Sequence, residues 1–198
     1  MNTYTIVRRK ENFLWEDVPA LEMNEELRHT EHSVKAKAQL CYDDTALYVR
    51  LTAVEQEIRA ELTGPLDEIC EDSCLEFFFC PIENDARYFN FEVNFNGAMY
   101  KGFGRSVKTL QRLIPEKAFI VPTISKTDDG WVAEYSIPYE FVRMFFPEFS
   151  PAPGKAIRAN CYKCGNFTVV PHWLSWNKIP NGITTFHCPE NFGIMYFA

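Results

Sequence analysis

Two glutamates occupy matching places in two strand-like runs. In residues 74–79, Glu76 falls opposite Leu75, Phe77 and Phe79. In residues 89–96, Glu92 falls with Asn90, Asn94 and Asn96, opposite Phe89, Phe91, Val93 and Phe95. Successive side chains of a strand point to opposite faces, so both glutamates belong to a polar face. A third run, residues 156–162, places Arg158, Asn160 and Tyr162 opposite Ile157, Ala159 and Cys161. If these strands are neighbours, carboxylates, amides, a guanidinium and a phenol converge on one curved sheet. That mixture of donors and acceptors suits sugar hydroxyls, each of which both donates and accepts. The plain alternative is a solvated outer face with no ligand. A carboxylate pair ~5–9 Å apart is also what glycoside hydrolysis requires. A hydrolase with Glu76 and Glu92 as acid and base is therefore the catalytic rival.

A second group of candidates follows Asn166-Phe167-Thr168. Pro171-His172-Trp173-Leu174-Ser175-Trp176 reads as a loop. Trp173 and Trp176 offer flat apolar surface of the kind that meets the C–H face of a sugar ring, with a polar edge left for water. Either could instead close one end of a sandwich. His172 and His187 lie near this pair in sequence and could meet beside Trp176. Cys161-Tyr162-Lys163-Cys164 is a C-x-x-C followed by His172. A zinc ribbon needs a second ligand pair, and none stands at suitable spacing. In a strand, Cys161 and Cys164 also face opposite ways. Cys70 and Cys74 add no recognisable pattern, and no metal site is expected. Nucleophile-elbow, H-E-x-x-H, P-loop and dinucleotide fingerprints are absent from the sequence. An interaction module with an exposed Trp loop is a further rival, as is a haem protein with His172 and His187 as axial ligands.

The elements that must position these residues are mostly strands. Residues 46–52 and 131–137 alternate apolar and polar residues like the runs above. Turn residues mark residues 42–45, 94–97 and 127–130. Residues 138–146 read as a short helix entered at Pro138, and residues 147–154 form a loop with three prolines. The expected fold is all-β: an antiparallel β-sandwich or jelly roll with one or two short helices, as one domain over residues 1–198.

Composition agrees. The chain of 198 residues carries 17 Phe, 9 Tyr and 4 Trp, which favours strands. Twenty Lys and Arg against 27 Asp and Glu leave a net charge of −7, so a nucleic-acid partner is not expected. No apolar run approaches the ~20 residues that span a bilayer, so no membrane partner is expected. The first ten residues carry no apolar run before their charges, and the seven cysteines are an odd number. The expectation is a cytoplasmic protein with reduced thiols.

The same residues carry a family resemblance. Asp72-Ser73-Cys74-Leu75-Glu76, the run from Tyr88 to Gly97, Gly130-Trp131 with Ile137-Pro138, and Asn160 to Gly165 occur in order. Residues 171–176 and 186–193 complete the set. Together they resemble family-9-like carbohydrate-binding proteins of the DOMON-like β-sandwich group. The resemblance implies non-catalytic binding of a mono- or oligosaccharide. It implies that Glu76 and Asn94, which match the family's polar motifs, hold hydroxyls and that Trp176 stacks on the ring; the polar-face pattern adds Glu92, Arg158 and Asn160, and the Trp loop adds Trp173. A family clamp Trp before the D-S-x-x-E stretch has no counterpart in residues 67–71, which leaves Trp173 or a Phe to supply it. The resemblance also implies possible calcium; Asp128 and Asp129 read as turn residues.

Overall fold

The computed structural model describes residues 1–114 and 117–198. Its strands are β1 (Thr3–Arg8), β2 (Leu21–Glu22), β3 (Glu25–Glu26), β4 (Lys35–Tyr42), β5 (Ala46–Val54), β6 (Cys74–Cys80) and β7 (Tyr88–Asn94). They continue with β8 (Met99–Gly104), β9 (Gln111–Arg112), β10 (Thr123–Lys126), β11 (Gly130–Pro138), β12 (Ala156–Gly165), β13 (His172–Ser175) and β14 (Gly193–Phe197). Among the described residues one α-helix, α1 (Tyr139–Arg143), starts where Pro138 at φ −62° is already set for a helical entry, and it ends short of the expected residue 146.

The strands run β10-β11-β5-β4-β1-β14-β12-β6-β7-β8-β9. β1 joins two sheets: Thr3 to Ile6 pair with β14, and Val7 and Arg8 pair with β4. Both of these ladders are parallel, so the sandwich is mixed rather than purely antiparallel as the alternating patterns suggest. Parallel pairing needs a long connection, and nearly the whole chain separates β1 from β14. No helix among the described residues is long and apolar enough to cross a membrane.

The Phe-rich faces meet in the interior as the alternation requires. Phe77 and Phe79 of β6 and Phe89 and Phe91 of β7 face Val49 and Leu51 of β5 and Tyr135 of β11 in one core. Phe141 of α1 closes it against Phe89, ring centroids 5.5 Å apart. Burying each such side chain contributes about 1.5–3 kcal/mol. Residues 171–176 are not a loop: β13 pairs with β12 on one side and β3 on the other. Its backbone groups find partners in the sheet, which a four-residue run signals weakly.

The outer face of β6, β7 and β12 is not a solvated surface. Phe78, Tyr88 and Tyr162 form a second apolar cluster beneath Phe186 and Phe192 of the C-terminal segment. Tyr162 and Phe186 stack with centroids 4.1 Å apart. The sheet therefore carries apolar packing on both sides, and polar groups on its outer face must find partners under that cover.

At one end of the interior, a buried ion pair links the sheets. Lys163 Nζ of β12 lies 3.2 Å from Glu55 Oε1, which follows β5; their side chains are 0% and 2% exposed. Glu55 Oε1 also accepts from Trp131 Nε1 at 2.6 Å, and Oε2 from Ser73 Oγ at 2.9 Å. Lys163 donates further to His172 Nε2 at 2.8 Å and to the Cys164 carbonyl at 2.9 Å. Every charged atom has a partner, so removing one member strands the others. Lys163→Met is expected to lower the unfolding free energy by about 3–5 kcal/mol in urea titration. Adding Glu55→Gln should recover part of that loss; a single-variant loss below about 1 kcal/mol would contradict a coupled pair.

Candidate functional site

A pocket of about 400 Å³ opens on the covered outer face of β6, β7 and β12. Glu76 and Glu92 both line it, and they are direct cross-strand partners. The same row continues to Tyr162 on β12 and Tyr100 on β8. Directly opposed residues place their Cβ atoms ~4.5–5.5 Å apart, so the two carboxyls share one small space. They are 2% and 6% exposed. Glu76 Oε1 accepts from the Cys164 thiol at 2.8 Å, and Glu92 Oε1 accepts from Asn90 Nδ2 at 2.7 Å.

Burial dominates the electrostatics of this floor. It pushes the Glu76 carboxyl up to about 7, against the Cys164 hydrogen bond and the Lys163 charge, which pull it down. It raises Glu92 well above the usual carboxylate range, and the neighbouring Glu76 and Glu68 carboxylates raise it further. Two ionised carboxylates side by side on this floor repel, so the pair holds a proton that separated carboxyls would release. The pair then offers both a donor and an acceptor to a bound hydroxyl.

Trp173 forms a wall. Its ring is half-buried, lines the pocket, and donates Nε1–H to Asn166 Oδ1 at 2.7 Å. The Arg28 guanidinium lies 4.9 Å from the ring centroid. His187 lines the opposite part, hydrogen-bonded through Nδ1 to the Tyr88 hydroxyl at 2.8 Å. Burial lowers its pKa to about 4, so the imidazole is neutral. Arg28, Asn166 and Cys70 also line the pocket and were not singled out from the sequence. Asn166 adjoins the Trp segment, but Arg28 arrives only through the β3–β13 pairing, which has no local signal.

Four of the nine candidates thus meet: Glu76, Glu92, Trp173 and His187. The other five are engaged elsewhere. Asn94 donates to Asp72 Oδ2 and the Leu62 carbonyl, both at 2.8 Å, and accepts from Ala98 N. Asn160 ties Asn177 by both backbone groups. Arg158 holds the carbonyls of Glu83, Asp85 and Pro189. These side chains fasten loops to the sheet, because loop carbonyls and amides under cover need partners. Trp176 is 6% exposed and belongs to the main core, where its ring packs against Gly193. It offers no free face for stacking. His172 is 1% exposed; burial and the Lys163 charge lower its pKa to about 4, and the neutral ring accepts from Lys163. It borders a separate cavity of about 660 Å³ with Glu26, His29, His32 and Glu55. His172 and His187 do not meet beside Trp176.

Calcium takes 6–8 oxygen ligands, carboxylates prominent among them. Among the described residues, no three side-chain carboxylates converge; the one group of three clustered donors is Cys74, Glu76 and Cys164. Asp128 and Asp129 sit in the β10–β11 turn beside Lys126.

Comparison with known proteins bears on what such a pocket holds. The profile of carbohydrate-binding family 9 matches residues 10–197. No curated protein sequence matches the chain. A candidate carbohydrate-binding protein from Bacteroides uniformis is 23% identical, with 99% of each chain covered and a TM-score of 0.83. A family-9 carbohydrate-binding module from Caldicellulosiruptor kristjanssonii, solved with cellotriose, is 14% identical over 99% of this chain and 93% of its own, with a TM-score of 0.67. The glucose complex of a family-9 module from that organism is 14% identical over 100% and 96%, with a TM-score of 0.69. At these identities the structural likenesses establish the sandwich fold.

The carboxyl pair makes stability depend on pH. Raised folded pKa values mean that the folded chain holds protons the unfolded chain releases. The stability is complete below the ordinary value of 4.5 and is lost as pH rises through about 7. Wild type minus the Glu76→Gln/Glu92→Gln variant, measured by urea unfolding, should fall by a few kcal/mol, roughly 3 from Glu76 alone, between pH 5 and 8. A pH-independent difference would show that the carboxyls ionise freely.

Proposed function

This chain belongs to carbohydrate-binding family 9, and on that premise we propose that it binds a mono- or oligosaccharide in the Glu76–Glu92 pocket without cleaving it. The observation that carries the reading is the pairing of a two-carboxyl floor with a half-exposed Trp173 wall in one pocket. A sugar ring has apolar C–H faces and a polar rim. Trp173 suits the face, and Glu76, Glu92, Arg28 and Asn166 suit the rim. The pocket volume lies within the roughly 300–1,000 Å³ of small-ligand sites. In this reading Trp173 supplies the aromatic surface that residues 67–71 lack, and Trp176, buried in the core, has no part in binding.

One feature favours binding over an inverting hydrolysis. An inverting enzyme needs a base separated from its acid by a water. Here direct cross-strand opposition leaves the two carboxyls crowded together, with no such separation.

Titration with glucose, cellobiose and cellotriose, followed by calorimetry and Trp fluorescence, tests this. Saturable binding is expected with Kd between μM and mM, about −8 to −4 kcal/mol. Trp173→Ala should weaken it at least tenfold, about 1.4 kcal/mol, with the fold intact by circular dichroism. Trp176→Ala should instead lower the melting temperature, because it opens a cavity in the core. Unchanged affinity in Trp173→Ala would remove the pocket assignment, and no response across a wider sugar panel would remove the carbohydrate reading.

A further inference from the structure

We propose that Cys74, Glu76 and Cys164 form a zinc site in the bed of the pocket. Cys74 and Glu76 share the outer face of β6, and Cys164 of β12 is the direct cross-strand partner of Cys74. The two thiol sulfurs and a Glu76 carboxyl oxygen lie within 4.8 Å of one another. Tetrahedral zinc, with sulfur at ~2.3 Å and oxygen at ~2.0–2.2 Å, spaces its ligand atoms by roughly 3.5–3.8 Å. Modest side-chain rotation therefore brings all three onto one ion.

The donor set selects the metal. Two thiolates with one carboxylate suit zinc; calcium and magnesium take oxygen ligands. Glu76 and Cys164 line the pocket, while Cys74 lies behind them and is fully buried. An ion can enter from the pocket, and its fourth position faces that space, as in zinc sites with three protein ligands and an open position. Binding exchanges each thiol S–H bond for a sulfur–zinc bond and releases the proton to solvent. The ion thus replaces protons that burial holds on these groups, and no oxidant or reductant takes part.

Sequence spacing conceals such a site. The visible C-x-x-C splits in β12: Cys161 faces the core and Cys164 the pocket. The partner of Cys164 lies 90 residues earlier, across a ladder. The proposal rests on this cluster; Glu76 serves both readings, and the two are tested apart, zinc by the cobalt spectrum without sugar and sugar binding by the Trp173→Ala titration without metal.

The test uses reduced full-length protein under nitrogen, equilibrated with zinc chloride, dialysed and measured by elemental analysis. One zinc per chain is expected. Cobalt(II) in its place should give the near-ultraviolet thiolate-to-metal charge-transfer band. A Cys74→Ala/Cys164→Ala variant, checked for folding by circular dichroism, should lose at least about a hundredfold in zinc affinity. A His29→Ala/His32→Ala variant should keep wild-type affinity, since those rings border the other cavity. The proposal is overturned by folded wild type that retains no zinc, by a cobalt spectrum without the thiolate band, or by zinc loss in the histidine variant. The cobalt spectrum decides even if the cysteine variant does not fold.

Discussion

A buried lysine among strands is the constraint on which the rest of this structure depends. Lys163 stands in the inward row of β12, following Ile157, Ala159 and Cys161, where the alternation asks for an apolar residue. An ammonium there is tolerated only with full compensation. Glu55 supplies the charge, His172 and the Cys164 carbonyl supply acceptors, and Trp131 and Ser73 complete the hydrogen bonding of Glu55. These residues come from both sheets and from β13. The network therefore specifies how the sheets meet at that end and holds β13 on the edge of β12.

The pocket inherits its position from the same strand. With Lys163 inward, the period of two sends Tyr162 and Cys164 outward. A slip of one residue in β12 would put the lysine among the tyrosines of the outer face and Cys164 in the core. The ladder then sets Tyr162 against Glu76, and Glu76 against Glu92. β13, fastened through His172, presents Trp173 to the pocket beside this row. The ion pair inside the sandwich and the ligand pocket outside it are thus two consequences of one register.

Much of this was legible in the sequence, for a physical reason. Alternation reports the face of each residue directly, so the strands of residues 74–79, 89–96, 131–137 and 156–162, and the polar-face placement of Glu76 and Glu92, follow from local pattern; that the two face each other depends on the β6–β7 register. The short helix is legible because Pro138 marks its entry. What a residue does on its face is another matter. Asn94, Arg158 and Asn160 look like Glu76 and Glu92 in pattern, yet they are taken up by loop backbone that comes from distant sequence. Trp173 and Trp176 differ in fate because they stand three residues apart: in extended chain that spacing puts them on opposite faces, Trp173 outward and Trp176 in the core beside Leu174. The parallel placement of β1 between β14 and β4 has no local signal, since it joins the two ends of the chain.

The D-S-x-x-E segment, residues 72–76, shows how a short motif spans both kinds of work. Asp72 accepts from the backbone amides of Glu61 and Leu62 and from Asn94, which shapes the loop before β6. Ser73 donates to Glu55 and accepts from the Arg59 amide, which ties that loop to the inter-sheet ion pair. Glu76, three residues on, reaches the pocket floor. Folding alone does not favour a second carboxyl opposite it, because two buried acids crowd one row and ionise only at a cost. An apolar partner for Glu76 would suit stability better, as Phe91 suits Phe77 on the inward face. Glu92 there is the kind of local conflict expected of the ligand site proposed above. A bound hydroxyl resolves the conflict, since it can accept the proton of one carboxyl and donate to the other.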